Sequence, residues 1–201
     1  MTKGLGNAVH LAHMFISEVV KRGGTAVDAT AGNGNDTLFL ARLVEAEGRI
    51  YAFDIQKKAL IKTRELLERY GAAKQVTLIN SGHEEMESLI SGNVDAVIFN
   101  LGYLPGGDHS LVTKPDTSVV SLESAIRLLR LGGRVALVIY TGHPGGSEER
   151  DAVEQFIYGL DRANYNVIKI NILNRAKHAP MVIIVEKAGA LNESQAAAQN
   201  P

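Results

Sequence analysis

The chain has 201 residues, 45% hydrophobic and 21% charged, which is typical of a single globular domain with a substantial core. Its formal net charge of -1 excludes a globally basic nucleic-acid-binding protein, so contact with nucleic acid would need a local basic patch. The lack of cysteine excludes disulfides and thiolate metal sites. Together with the lack of a signal-peptide pattern or of an apolar run of roughly 18 residues, it predicts a cytoplasmic protein without membrane contact.

Apolar strand-like runs alternate with amphipathic helical segments along the chain, which predicts a mainly parallel α/β sheet. Glycines that follow helical segments, such as Gly71 and the pair Gly132-Gly133, indicate where helices end. The predicted helices, in chain order, cover residues 7–21, 36–44, 57–70, 84–90, 116–131 and 147–162. The predicted strands cover residues 25–29, 49–54, 76–80, 94–100, 134–140, 165–173 and 180–186.

The last two predicted strands are separated only by the short loop 174–179 and should pair as an antiparallel hairpin. Strands wound with helices and closed by a terminal antiparallel strand form the Rossmann-like, seven-stranded sheet of class I S-adenosylmethionine-dependent methyltransferases. A dehydrogenase domain does not end in this way. We therefore expect one methyltransferase domain over residues 1–187 and a flexible tail over 188–201.

The loop after the first strand is the most informative stretch of the sequence. A strand, a tight glycine turn and a helix start follow one another there, an arrangement that binds a nucleotide-like cofactor. A dinucleotide fingerprint would have a third glycine at Thr37. Asp28 and Asp36 would repel a pyrophosphate but not the sulfonium and ammonium groups of S-adenosylmethionine. The candidate cofactor-binding residues of this loop are Asp28, Ala31, Gly32, Asn33, Gly34, Asn35, Asp36 and Thr37.

Further candidate cofactor contacts follow the second and third strands. Asp54 ends the second strand about twenty residues beyond the glycines, where an acid accepts the ribose hydroxyls of an adenosine, and Gln56 follows it. The alternative is that Asp54 only caps the next helix. Ser81 and His83 lie after the third strand, where methyltransferases contact the adenine; the alternative for His83 is a residue at a helix start.

The loop after the fourth strand, 101–115, predicts the substrate site. Asn100-Leu101-Gly102-Tyr103 resembles the Asn-Pro-Pro-Tyr element of methyltransferases that act on amino groups. In that element the Asn side chain accepts N–H bonds from the target amine and the aromatic ring stacks on the base. Asn100 and Gly102 are also candidate cofactor contacts. The alternative is that Asn100 caps a turn and Tyr103 is a packed loop aromatic.

A protonated amine must lose a proton before it can attack a methyl group. Asp108 is the first candidate acceptor, with His109 and His143 as alternatives, and all three could instead be solvated loop residues. His10 and His13 lie on the first helix and are expected to be exposed or structural; the alternative is that the N-terminal end of this helix covers the cofactor. No metal site is predicted, because the histidines are dispersed and no carboxylates stand at ligand spacing.

Basic residues in the hairpin loop are the candidate RNA contacts. Arg175, Lys177 and His178 are expected to project beyond the sheet, near the edge where ligands bind. The alternative is that these charges, like Lys57 and Lys58, are ordinary solvated surface.

Four stretches together resemble a known family nearly end to end. They are AVDATAGNGNDT, FDIQ, NLGYLPGGDH and YTGHPGG. On these motifs the chain resembles the bacterial YtqB-like rRNA methylase family. That family is similar to the tRNA methyltransferases that convert 5-aminomethyl-2-thiouridine at the wobble position into its methylaminomethyl form. The resemblance implies S-adenosylmethionine as methyl donor, the anticodon region of tRNA as substrate, a class I fold and a homodimer.

Two other functions remain open from the sequence. An rRNA or small-molecule amine methyltransferase would use the same site, and the lack of global basicity favours the small molecule. A nucleotide-binding sensor would keep the glycine loop, but it would have no use for an amine-binding element at residues 100–108.

Overall fold

The computed structural model describes residues 4–102, 112–176 and 179–189. Within these residues, seven strands form one sheet in the order β3-β2-β1-β4-β5-β7-β6. The first five strands in the chain run parallel, whereas β7 is antiparallel to both of its neighbours. The strands are β1 (Thr25–Asp28), β2 (Arg49–Phe53), β3 (Val76–Ile79), β4 (Val94–Leu101), β5 (Leu129–Ile139), β6 (Tyr165–Ile170) and β7 (Met181–Lys187).

Helices cover both faces of the sheet. The first begins at Asn7, whose side chain accepts a hydrogen bond from the N–H of His10 and so caps it. A short 3₁₀ turn, His83–Glu85, precedes the fourth helix. The helices are α1 (Ala8–Val19), α2 (Asn35–Val44), α3 (Lys57–Arg69), α4 (Met86–Leu89), α5 (Pro115–Leu128) and α6 (Gly146–Tyr158).

Two apolar layers form because successive strand residues point to opposite faces. On one face, sheet residues such as Val27 and Phe99 pack with residues of α4, α5 and α6. On the other face, residues such as Ala26 and Ile98 pack with residues of α1, α2 and α3. Because β1, β2, β4 and β5 run parallel, their carboxyl ends lie at a single edge of the sheet, where ligands bind in such folds.

The terminal hairpin is confirmed, with Tyr165 opposite Lys187 and Ile170 opposite Val182. The seven-stranded methyltransferase arrangement is confirmed as well. Of the predicted tail, residues 190–201 lie outside the described residues. No helix in the described part of the chain is long and apolar enough to cross a membrane.

The predicted boundary at Gly132-Gly133 is wrong. The helix ends at Leu128, and β5 starts at once with Leu129, which is buried and pairs with Val94. The pairing then shifts register, so that Arg134 lies opposite Ala96. A Cβ on Gly133 would lie 2.9 Å from the carbonyl oxygen of Asp95. The glycines therefore allow a bulge inside a strand instead of ending a helix.

Candidate active site

A cavity of about 360 Å³ opens at the carboxyl edge of the sheet. Its volume lies within the range of small-molecule sites. The predicted site residues that line it are Ala31, Gly32, Asn33, Asn35, Asp36, Asp54, Gln56, Ser81, His83, Asn100 and Gly102. Residues that line it without having been predicted are Val9, His13, Ala29, Thr30, Phe53, Ile55, Gly82, Glu84, Val112, Thr113 and Tyr140.

Gly34 of the glycine loop does not line the cavity. It has φ 82° and precedes α2, and a Cβ there would lie 2.9 Å from Cα of Thr63 on α3. The Thr63 hydroxyl donates a hydrogen bond of 3.0 Å to the carbonyl of Gly32. Gly34 is thus needed for the approach of α3 to the loop.

Asp28 and Thr37 also lie behind the cavity wall. The Asp28 side chain is completely buried. Its carboxylate accepts hydrogen bonds from the Thr37 hydroxyl, at 2.6 Å, and from the N–H of Thr30, at 3.1 Å. Burial, and then the nearby charge of Asp36, raises the pKa of Asp28 to about 7. Asp28 therefore shapes the loop from behind instead of facing the cavity.

Asp54 lies at the cavity surface, directly after β2. Its two carboxylate oxygens accept the N–H groups of Gly32, at 2.9 Å, and of Gln56, at 2.7 Å. Burial raises the pKa of Asp54, and the two backbone hydrogen bonds oppose that rise. Each oxygen keeps a further lone pair, so the carboxylate can still accept hydroxyl groups from a ligand.

His83 forms part of the cavity wall. Its Nδ1–H donates to the carbonyl oxygen of Ala29 at 3.2 Å, and its ring meets Phe99 edge to face. Burial lowers the pKa of His83, which favours the neutral ring. In that form Nε2 is an acceptor.

Asp36 joins the first helix to the fourth strand. One carboxylate oxygen accepts from His13 Nε2 at 2.6 Å, and the other accepts from Asn100 Nδ2. The backbone N–H of Asn100 donates to the Thr30 hydroxyl at 2.8 Å. All of these residues line the cavity. Because the amide nitrogen of Asn100 donates to Asp36, its carbonyl oxygen is the group left to receive a donor from a ligand.

A buried glutamate anchors the loop that follows β4. Glu149 of α6 has no exposed surface and accepts from the hydroxyls of Thr113, at 2.8 Å, and Ser118, at 2.5 Å. The Thr113 hydroxyl in turn accepts the N–H of Gly102 at 2.8 Å, and the N–H of Thr113 donates to the carbonyl of Gly102 at 3.0 Å. The two ends of the loop are therefore held together.

His143 lies behind Gly102 and is not in the cavity lining. Its Nδ1 donates to the carbonyl oxygen of Pro144 at 3.0 Å, and a Cβ on Gly102 would lie 3.6 Å from its Nε2. The exposed Arg175 places its guanidinium beside Gly6, immediately before α1. The predicted site residues that lie outside the described residues are Tyr103, Asp108, His109, Lys177 and His178.

Charge distinguishes the ligands that the cavity can accept. Among its described lining residues are the carboxylates of Asp36, Asp54 and Glu84, with no lysine or arginine. Such a lining disfavours a pyrophosphate and tolerates a cation. The sequence predicted this selectivity from Asp28 and Asp36, but Asp28 contributes from behind the wall. Within the described chain, no three His, Asp or Glu side chains cluster in a way that could hold a metal ion.

Sequence reasoning missed His13, Tyr140, Thr113 and Glu149. Tyr140 directly follows β5, so the rule that ligands bind at the carboxyl ends of strands could have identified it. His13 and Glu149 reach the site from helices across long separations in the sequence, and no local motif indicates them.

A family model described as "Putative rRNA methylase" matches residues 50–186. The chain belongs to the rRNA methylase family. This membership confirms the resemblance drawn from the motifs, and the fold is that of the class I methyltransferases.

Relatives of the family cover most of the chain. A chloroplastic tRNA (mnm(5)s(2)U34)-methyltransferase of Arabidopsis thaliana is 41% identical over 194 residues, which are 92% of this chain and 70% of that protein. A crystal structure of a "putative rRNA-methylase" from Clostridium thermocellum is 43% identical, with a TM-score of 0.89 over 93% of this chain and 100% of that one. A "putative methyltransferase" from Streptococcus mutans, crystallised with SAH, is 39% identical, with a TM-score of 0.83 over 93% and 99% of the two chains.

Proposed function

We propose that this member of the rRNA methylase family is an S-adenosylmethionine-dependent N-methyltransferase. Its substrate is the amino group of 5-aminomethyl-2-thiouridine at the wobble position of tRNA. The observation that carries the proposal is the amide of Asn100, which lines the cavity with its nitrogen committed to Asp36 and its carbonyl oxygen available to an N–H donor. The 41% identity to the Arabidopsis tRNA methyltransferase supports the choice of nucleoside.

The lining fits S-adenosylmethionine in its donor groups and in its charge. Asp54 would accept the ribose hydroxyls, the backbone around Gly32 would lie against the ligand, and His83 would face the adenine. The acidic lining would favour the sulfonium and ammonium groups. The SAH-bound relative from Streptococcus mutans supports the same cofactor. When bound, S-adenosylmethionine supplies an activated methyl group.

The protein's own task is to hold the amine and to free its lone pair. The Asn100 carbonyl would accept an N–H of the amine and direct its nitrogen into the cavity. An ammonium must first give up a proton, for which Asp108, His109 and His143 remain the predicted acceptors. The anchoring of Gly102 to Thr113 and Glu149 holds the strand end that carries Asn100.

The tRNA would be held by basic groups at the cavity's edge. Arg175 lies beside Gly6, at the start of the helix that places Val9 and His13 in the cavity lining. A phosphate bound there would lie at the same end of the sheet as the amine site. The homodimer, the anticodon region as docking site, the single domain over 1–187 and the cytoplasmic location belong to this proposal as predictions.

An in vitro methyl-transfer assay tests the proposed function. The purified protein is incubated with S-adenosylmethionine and tRNA that carries 5-aminomethyl-2-thiouridine, and the nucleosides are then separated by mass spectrometry. We expect this nucleoside to gain one methyl group on its amine. Ribosomal RNA and free small amines are tested in parallel, because the family description favours rRNA as the second candidate. Transfer to either of them, and none to the tRNA, would reject the proposed substrate.

A further inference from the structure

His13 has no part in the proposed function so far, although it lines the cavity. Its Nε2 lies 2.6 Å from an oxygen of Asp36, and its ring stacks on Phe39 with centroids 3.6 Å apart and planes 4° from parallel. We infer that His13 is a positioning residue that acts through Asp36 to hold the Asn100 carbonyl toward the substrate amine. The inference rests on the proposed function, since it needs Asn100 to bind an amine.

Asp36 selects which polar groups can face it. A carboxylate only accepts hydrogen bonds, so every polar group that faces it must donate. Asn100 meets this requirement only through Nδ2, so the nitrogen end of its amide faces Asp36. The opposite end is Oδ1. An amine nitrogen offers N–H donors, so this orientation attracts it, whereas a reversed amide would present N–H against N–H.

His13 gives the Asp36 carboxylate a second hydrogen bond. The terminal torsion of an Asp side chain is broad, so a single hydrogen bond holds the carboxylate plane weakly. His13 binds the second oxygen, and its ring is itself fixed by Phe39 and by its place on α1. The Asp36 carboxylate therefore keeps a single orientation, and this in turn fixes the orientation of the Asn100 amide that donates to it.

Three variants separate this role from a general role of α1. His13→Leu removes the donor, His13→Gln keeps an N–H donor, and His10→Leu is the matched control. His10 lies on the same helix, outside the cavity lining. Because a small misplacement of a reacting group is costly, we expect His13→Leu to lower kcat by about 10-fold to 100-fold. The Kd of S-adenosylmethionine should stay nearly unchanged. His13→Gln should recover most of the turnover, and His10→Leu should behave as the wild type.

A second readout requires no methyl transfer. The side-chain NH₂ signal of Asn100, assigned by its loss in Asn100→Ala, is followed by ¹⁵N NMR. In His13→Leu it should move toward the position of a solvent-exposed amide, while His10→Leu should leave it unchanged. If wild-type protein methylates no tRNA, the proposed function fails, and this signal still decides whether His13 orients Asn100. An unmoved signal in His13→Leu, or a His13→Gln variant as slow as His13→Leu, would overturn the inference.

Discussion

The two halves of the cavity are fixed by contacts of very different reach along the chain. In the cofactor half, residues 28–37 and 54–56, two carboxylates make short-range hydrogen bonds to the backbone, beside the longer-range bond from Gly32 N–H to Asp54, 22 residues away. Asp28 holds the N–H of Thr30 and Asp54 holds the N–H of Gln56, each two residues away. In the amine half, the strand end from Asn100 to Gly102 depends on partners that are 64 and 11 residues away, Asp36 and Thr113.

This difference has a functional consequence. The hydrogen bonds of Asp28 and Asp54 lie within or between the two loops that follow the neighbouring strands β1 and β2. The amine half forms only when α1, α5 and α6 have packed on the sheet, because His13, Ser118 and Glu149 come from those helices. The two halves should therefore fail separately when they are mutated.

The largest expected effect is on the amine half. Asn100→Ala removes the acceptor for the amine and should lower kcat by about 10² to 10³-fold, a range typical of a lost transition-state hydrogen bond. The Kd of S-adenosylmethionine, measured by calorimetry, should hardly change. Turnover within a few-fold of the wild type would show that Asn100 does not bind the amine, and a parallel loss of cofactor affinity would show that the halves are not separable.

The reciprocal variant is in the cofactor half. Asp54→Ala removes a charged acceptor for the ribose and the partner of Gly32 N–H. It should weaken S-adenosylmethionine binding by roughly 1–3 kcal/mol. At saturating cofactor, kcat should recover most of the wild-type value. Calorimetry that finds an unchanged affinity would reject the ribose assignment of Asp54.

The buried carboxyl of Asp28 makes the stability of the cofactor half depend on pH. Its pKa of about 7 in the folded protein is well above the value near 4 of an unfolded chain. Between these values the unfolded state binds fewer protons, so the stability that Asp28 contributes at low pH is lost as the pH rises through about 7.

Asp28→Asn should remove this pH dependence, because the amide can accept from Thr30 N–H and donate to the Thr37 hydroxyl. Relative to that variant, the free energy of unfolding of the wild type should fall by about 2 kcal/mol between about pH 5.5 and 7.5, since one pKa unit is worth about 1.4 kcal/mol. Urea unfolding at several pH values measures the difference. A constant difference would mean that the pKa of Asp28 is not raised.

The smallest expected effect lies outside both halves, at Arg175. Arg175→Ala should raise the KM for tRNA and reduce the slope of log affinity against log salt by about one, the contribution of one phosphate contact. The Kd of S-adenosylmethionine should stay constant. Arg162→Ala, which removes an exposed arginine from the chain after α6, is the control. A wild-type salt slope in Arg175→Ala would direct attention to Lys57 and Lys58 as the tRNA contact.

The sequence predicted most of the cofactor half because its chemistry is carried by contiguous residues. The loop from Ala31 to Asp36 and the acid at Asp54 follow strand ends that hydrophobic patterning locates. Gly34 shows the limit of this reasoning. It was predicted to contact the cofactor, but a Cβ at this position would collide with Thr63 on α3, and such packing leaves no mark in a local motif.

In the amine half, the sequence identified Asn100 and could not identify what holds it. The pairings of Asn100 with Asp36 and of Thr113 with Glu149 depend on which helix covers which face of the sheet. The bulge at Gly132-Gly133 is a similar case. A glycine pair after a helical pattern predicts a helix end, whereas here the pairing of Leu129 with Val94 extends the strand across it.

The tRNA of cells that lack this gene tests the central claim most directly. Nucleosides from the deletion strain, and from the same strain complemented with the wild-type gene or with Asn100→Ala, are compared by mass spectrometry. The account predicts that 5-aminomethyl-2-thiouridine accumulates in the deletion strain. It also predicts that the methylaminomethyl form returns with the wild-type gene and not with Asn100→Ala. Unchanged levels of the methylaminomethyl nucleoside in the deletion strain would contradict it.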